Sequence, residues 1–122
     1  MRFIDIHHGS ELNRNLFIRA DDKGPGGASH VYQISDNNPS PDAEPMCVLR
    51  FQKGALKEVG FNGISDEALL AVLIDRLRGF QSGPYSCREN ALALTKMEEA
   101  LHWLNARTRD RVARGVEGKS EA

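Results

Sequence analysis

Phe80–Gly115 reads FQSGPYSCRENALALTKMEEALHWLNARTRDRVARG, a turn rich in Gly, Pro and Ser followed by a single long helical period. Ser86-Cys87-Arg88-Glu89 matches the S-x-x-E capping box, in which a hydroxyl and a carboxylate reciprocally satisfy free backbone amides, so a helix is expected to open at Ser86. Carried to Arg114, it would run about 43 Å at 1.5 Å per residue, more than a small sheet can cover. At 100° per residue, Leu94, Met97, Leu101, Leu104 and Thr108 fall on one stripe at alternating spacings of three and four, with Asn90 at its start. That is the seam of a helix pair. The flank beside it carries Ala93, Lys96, Ala100, Trp103, Arg107, Arg111 and Arg114, which combines small residues, an aromatic and guanidinium groups.

Upstream, a second helical period begins at Ser65. Its hydroxyl can cap the following turn, and Asp66 and Glu67 place negative charge at the positive end of the helix dipole. Leu69, Val72, Leu73, Ile74 and Leu77 make a broad apolar face, Asp75, Arg76 and Arg78 turn outward, and Gly79 is placed to end the helix in a left-handed conformation.

The first half reads as strands. Arg2–His7, Leu16–Arg19, His30–Ser35 and Met46–Gln52 are short β-prone runs. Asp21–Gly27 and Asp36–Pro45 are too rich in Gly, Pro and Asp to be anything but loops. Lys53-Gly54 looks like a hairpin turn with Ala55–Val59 returning as its partner strand. The expected fold class is α+β: an N-terminal antiparallel β-sheet of four or five strands, then one short and one long α-helix. As domains, residues 1–122 are read as one unit, with a β-meander over 1–60, a helical hairpin over 65–115 and a flexible tail over 116–122.

Composition limits the function classes. The chain has 122 residues, 40% hydrophobic and 27% charged, with a formal charge of −1, so no global field draws it to duplex nucleic acid or an anionic membrane. Cys47 and Cys87 are too few for a disulfide framework or a zinc site and point to a reducing compartment. No segment is apolar enough to span a bilayer and MRFIDIHHGS lacks a leader pattern, so neither export nor membrane insertion is expected. His7, His8, His30 and His102 lack metal-ligand spacing.

The local charge is another matter. Between Arg107 and Arg114, four Arg against one Asp leave +3 on a nearly neutral chain. A solvated helix end complementing the C-terminal dipole is one reading of that cluster, and an anion site is the other, since forked guanidiniums beside an aromatic suit phosphates and a purine. Asn90 and Arg107 lie roughly 25 Å apart along one helix, too far to grip one small nucleotide together. Antiparallel pairing of two such helices would bring Asn90 of one protomer to Arg107 of the other, so the seam predicts a homodimer with two equivalent pockets.

FQKGALKEVGFNG, SDEALLAVLIDRL and the Phe80 stretch onward, together about residues 46–118, resemble the phage Thoeris anti-defence 1 family. RENALALTKMEEALHW is also similar to the hairpin domain of phage anti-CBASS cyclic-nucleotide sponges. The resemblance implies a non-enzymatic sponge, without cofactor, that binds glycocyclic ADP-ribose signals in the host cytoplasm during infection and leaves them intact. It also implies ligand residues at Phe80, Asn90, Arg107 and Arg111: Phe80 stacking the adenine, Asn90 bonding a base or ribose edge, Arg107 and Arg111 holding the pyrophosphate. Cyclic di- and trinucleotides at separate sites, and assembly of dimers to a hexamer, belong to the same implication.

Two other classes compete with it. A hydrolase would need a positioned base with a metal or nucleophile, and Glu98 and Glu99 read as outer-face helix residues. An adaptor or nucleic-acid-binding protein using the Arg-rich end would show steep salt dependence and no saturable nucleotide site. The implied ligand residues Phe80 and Asn90 also have structural readings, since Phe80 can plug a junction and Asn90 can set helix register; Trp103 is read as packing in the interface and left out of the site.

Overall fold

The computed structural model describes residues 1–37, 42–115 and 119, so part of the Asp36–Pro45 loop and most of the 116–122 tail lie outside the described residues. The chain divides into two compact units, Met1–Gly54 with Val59–Gly63, and Ala55–Glu58 with Ile64–Ala122.

The first unit is a four-stranded antiparallel sheet in sequential order, β1 (Arg2–Ile4), β2 (Phe17–Ala20), β3 (Val31–Ser35) and β4 (Cys47–Arg50). Register sets its two faces, because side chains alternate along a strand. The rows Ile4–Ile18–Ile34–Cys47 and Arg2–Ala20–Tyr32–Leu49 share one face, which is mostly apolar and contains the fully buried Ala20. Phe3, Arg19, Gln33 and Val48 form a row on the opposite face, where Arg19 Nη2 donates to Gln33 Oε1 at 3.0 Å. Between β1 and β2, Ser10 caps a one-turn helix, α1 (Glu11–Arg14), by accepting from the Asn13 amide at 3.1 Å.

The Asp21–Gly27 segment is the hairpin loop its composition indicates, tightened by a 3-10 turn at Pro25–Gly27. Asp21 Oδ1 accepts from the backbone N–H of His30 at 2.9 Å and of Val31 at 3.2 Å. Those two bonds hold its carboxyl below the usual carboxylate range, against an opposing effect of desolvation and with smaller help from the positive charge of Lys53. Buried Ser29 donates to the Asp21 carbonyl at 2.8 Å and accepts from Arg2 at 3.2 Å.

Ala55–Val59 is not a strand. After Gly54, at φ +92°, the chain makes a one-turn helix, α2 (Leu56–Val59). Two amide side chains take over the backbone groups that strand pairing would have satisfied. Gln52 Nε2 donates to the Gly60 carbonyl at 2.7 Å while its Oε1 accepts from the Asn62 amide at 3.0 Å. Asn62 in turn exchanges two 2.7 Å bonds with the backbone of Lys53. Leu, Lys and Glu favour the helical turn intrinsically.

The second unit is built on α3 (Asp66–Gln81) and α4 (Arg88–Ala113). Ser65 caps α3 as its sequence indicates, accepting from the Ala68 amide at 3.0 Å. Gly79 does not terminate it: α3 continues to Gln81, Gly79 is not among the glycines of positive φ, and the cap is Ser82. The α4 start also differs from the Ser86/Glu89 box, because Cys87 is the N-cap and its Sγ accepts from the Asn90 amide at 3.4 Å. Gln81 explains the shift. Its side-chain amide accepts from the Cys87 N–H at 3.0 Å and donates to the Cys87 carbonyl at 3.1 Å, fixing Cys87 in the extended conformation of a cap.

The two helices pack antiparallel within the chain, as their ion pairs Arg78–Glu98 (2.6 Å) and Arg107–Glu67 (3.2 Å) require. Leu94, Met97, Leu101 and Leu104 are half-buried and Ile74 of α3 is buried. The seam read from the sequence is thus used by α3. Thr108 lies beyond it, exposed, its hydroxyl returned to the Leu104 carbonyl at 3.2 Å.

Candidate ligand site at the two ends of the helical hairpin

Four residues carry the expected ligand chemistry, and α3 and α4 position all of them. Phe80 sits in the last turn of α3, half-buried, with the guanidinium carbon of Arg76 5.1 Å from its ring centroid. Asn90 is in the first turn of α4 and is also half-buried. The intervening turn is braced. Besides the Gln81–Cys87 pair, Ser82 Oγ donates to the Gly79 carbonyl at 2.9 Å and the Gly83 amide to the Phe80 carbonyl at 3.2 Å. An aromatic ring and an amide are therefore offered from one end of the hairpin by a fixed backbone.

The guanidiniums stand at the other end. With a rise of 1.5 Å per residue, Arg107 is roughly 25 Å along α4 from Asn90. Its Nη2 meets Glu67 Oε1 at 3.2 Å, and Arg111 Nη2 donates to the Lys119 carbonyl at 2.8 Å. Arg114 pairs with Asp110 at 3.0 Å one turn away. One chain brings Phe80 and Asn90 to the same end of the hairpin and leaves Arg107 and Arg111 at the opposite end.

The flank of α4 outside the hairpin seam is open. Trp103 is 70% exposed and Leu92 48%. Leu92 and Trp103 fall on the same side of α4 and leave apolar surface open there. Arg76, an outward charge by its sequence pattern, stands four residues before Phe80, the spacing that brings a cation over an aromatic ring on a helix.

Among the described residues no group of three or more His, Cys, Asp or Glu is arranged to hold a metal ion. His7 bonds the Leu16 carbonyl at 2.7 Å and His30 the Pro25 carbonyl at 2.9 Å, both structural contacts. Among the described residues no helix is long and apolar enough to cross a membrane.

Comparison with known proteins places these features in context. Residues 46–109 match the model of the Acb2/Tad1 hairpin domain, a span that takes in Phe80, Asn90 and Arg107, with Arg111 just beyond it. The protein named Thoeris anti-defense 1 from Bacillus phage SBSphiJ7 is 46% identical over 98 residues, which is 80% of this chain and 66% of that protein's own length.

Proposed function

Because the chain belongs to the Acb2/Tad1 hairpin-domain family, we propose that it is a phage anti-defence sponge that binds glycocyclic ADP-ribose without degrading it. The relative's name supports the Thoeris side of this reading. The observation that carries the geometry is the division of ligand-binding groups between the two ends of one hairpin. A second copy docked antiparallel against the hairpin would bring Phe80 and Asn90 of one protomer to Arg107 and Arg111 of its partner. The adenine stacks on Phe80, Asn90 bonds a base or ribose edge, and the guanidiniums hold the pyrophosphate.

The limited core of the free chain favours such a partner. Among the described residues Ala20 and Ile74 alone are buried hydrophobics, while Trp103, Leu92 and Val112 remain open on α4. Sequestering a submicromolar signal requires nanomolar affinity or better, about −12 kcal/mol. A pocket closed between protomers excludes water and supplies that more readily than an open surface. Cyclic di- and trinucleotides at separate sites, and assembly of dimers to a hexamer, extend the same reading, and the setting is the host cytoplasm during infection.

The alternative, an adaptor or nucleic-acid binder using the Arg-rich end, would show steep salt dependence and no saturable nucleotide site. The test is to incubate purified protein with glycocyclic ADP-ribose, denature it and identify what is released. Intact ligand is the expected result. A cleaved product would make the protein an enzyme, and failure to deplete the ligand would refute both.

A further inference from the structure

The outer strip of α3 carries a depression of about 360 Å³ bounded by Asp75, Arg76, Gly79 and Phe80. Asp75 and Gly79, and Arg76 and Phe80, are each one helical turn apart, so the four form one continuous surface. Arg76 stands over the Phe80 ring at 5.1 Å. It makes no ion pair with any carboxylate among the described residues. An aromatic ring and an uncommitted guanidinium together offer a broad π surface with forked N–H donors at its rim.

Gly79 is the informative neighbour. It lies inside a regular helix, where glycine is unfavourable, and its φ is not one that requires glycine. A Cβ built on it would meet nothing within 4 Å. Nothing inside the chain therefore asks for the missing side chain. The space it leaves open lies along the depression, beside Phe80.

We propose that Asp75, Arg76, Gly79 and Phe80 form the base-and-ribose face of the nucleotide site, adding Arg76, Asp75 and Gly79 to the residues named above. The base lies on the surface made by Phe80 and Arg76, since phenyl rings and guanidinium planes both stack nucleobases. The rim N–H groups of Arg76 donate to the adjacent phosphate. Asp75 accepts from a ribose hydroxyl, the role carboxylates take in other nucleotide sites. Gly79 lets the ligand approach the helix backbone. The ligand class is a ribonucleotide carrying both purine and phosphate, so this inference rests on the nucleotide-sequestration reading.

The test is calorimetric titration of the full chain with glycocyclic ADP-ribose, with thermal melting and light scattering alongside, for wild type, Arg76→Ala, Arg76→Lys and Gly79→Ala. Arg76→Ala is expected to weaken binding at least tenfold and to reduce its salt sensitivity, and Arg76→Lys to recover only part of the loss, because an ammonium keeps the charge but not the plane. Gly79→Ala is expected to raise the melting temperature while weakening binding severalfold. Opposite movement of stability and affinity is what a purely structural glycine would not produce. If wild type binds and Arg76→Ala and Gly79→Ala bind equally well, this inference falls and the sequestration reading stands. If wild type does not bind, both fall. Loss of affinity together with loss of assembly overturns the inference, because the depression then seats a second copy.

Discussion

Arg107 Nη2 lies 3.2 Å from Glu67 Oε1, tying the distal part of α4 to the first turn of α3. The same guanidinium is assigned to the ligand pyrophosphate, so a carboxylate and a phosphate compete for one cation. The pair is more than half exposed on the Arg107 side, which makes its stabilising contribution small, about 0.5 kcal/mol. Glu67→Gln is therefore expected to lower the melting temperature slightly and to tighten ligand binding a few-fold. Titration calorimetry checks it. Weaker binding would mean that Glu67 orients Arg107 rather than competing for it.

The Cys87 cap is open to direct improvement. A thiol accepts a hydrogen bond poorly compared with a hydroxyl, and the Sγ to Asn90 amide distance is 3.4 Å. Cys87→Ser should stabilise the hairpin and Cys87→Ala should cost about 1 kcal/mol, the usual worth of an N-cap side chain. Gln81→Leu removes two bonds to the Cys87 backbone and should cost more than the alanine cap variant. Chemical denaturation orders the three, and an unaffected Gln81→Leu would show that the clamp is incidental.

Gly63 admits no side chain. A Cβ there would lie 2.4 Å from the Phe51 carbonyl carbon and 2.6 Å from the Arg50 carbonyl oxygen, both backbone atoms that cannot rotate away. Gly63→Ala is expected to destabilise the sheet unit by about 2 kcal/mol or more, within the range for overpacking. Gly26→Ala, with nothing within 4 Å but φ at +76°, isolates the smaller cost of backbone strain alone. Equal melting temperatures for the two variants would contradict this ordering.

Asp21 predicts an acid limb to stability. Its folded-state carboxyl titrates below the ordinary value because it accepts from the His30 and Val31 amides. A depressed folded pKa means that the contribution is complete above the unfolded-state value near 3.9 and is lost as pH falls through the lower folded one. Asp21→Ala should lower stability at neutral pH and narrow its difference from wild type as pH falls below about 4. Melting curves between pH 3 and 7 test this, and a constant difference would contradict it.

Much of the architecture was legible because the relevant signals are local. Ser65, followed by two acidic residues, announces α3 through backbone chemistry confined to one turn. The segments joining β2, β3 and β4 carry clusters of Gly and Pro, residues that strand interiors disfavour. Ala55–Val59 was misread because its structure depends on Gln52 and Asn62, whose amides reach across about ten residues to satisfy the backbone. The α4 cap moved from Ser86 to Cys87 for a similar reason, the remote hold of Gln81. The stripe on α4 is a helix seam as its period indicates, but periodicity does not name the partner: α3 of the same chain takes it, not the second copy that the seam was expected to recruit. For the site, Phe80, Asn90, Arg107 and Arg111 came from family resemblance, and helix length alone required that they separate into two ends. Arg76 is, by its sequence, one outward cation among several on α3, and only its 5.1 Å distance to the Phe80 ring sets it apart.

The central claim is that two chains complete one pocket, and the decisive measurement is complementation between defective partners. Asn90→Ala and Arg107→Ala chains carrying different tags are co-expressed, and the mixed dimer is isolated through both tags. Each variant alone should bind no glycocyclic ADP-ribose. The mixed dimer combines both lesions in one pocket and leaves the other intact, so it should bind about half the wild-type amount at wild-type affinity. A mixed dimer that binds no more than either parent would contradict the shared pocket.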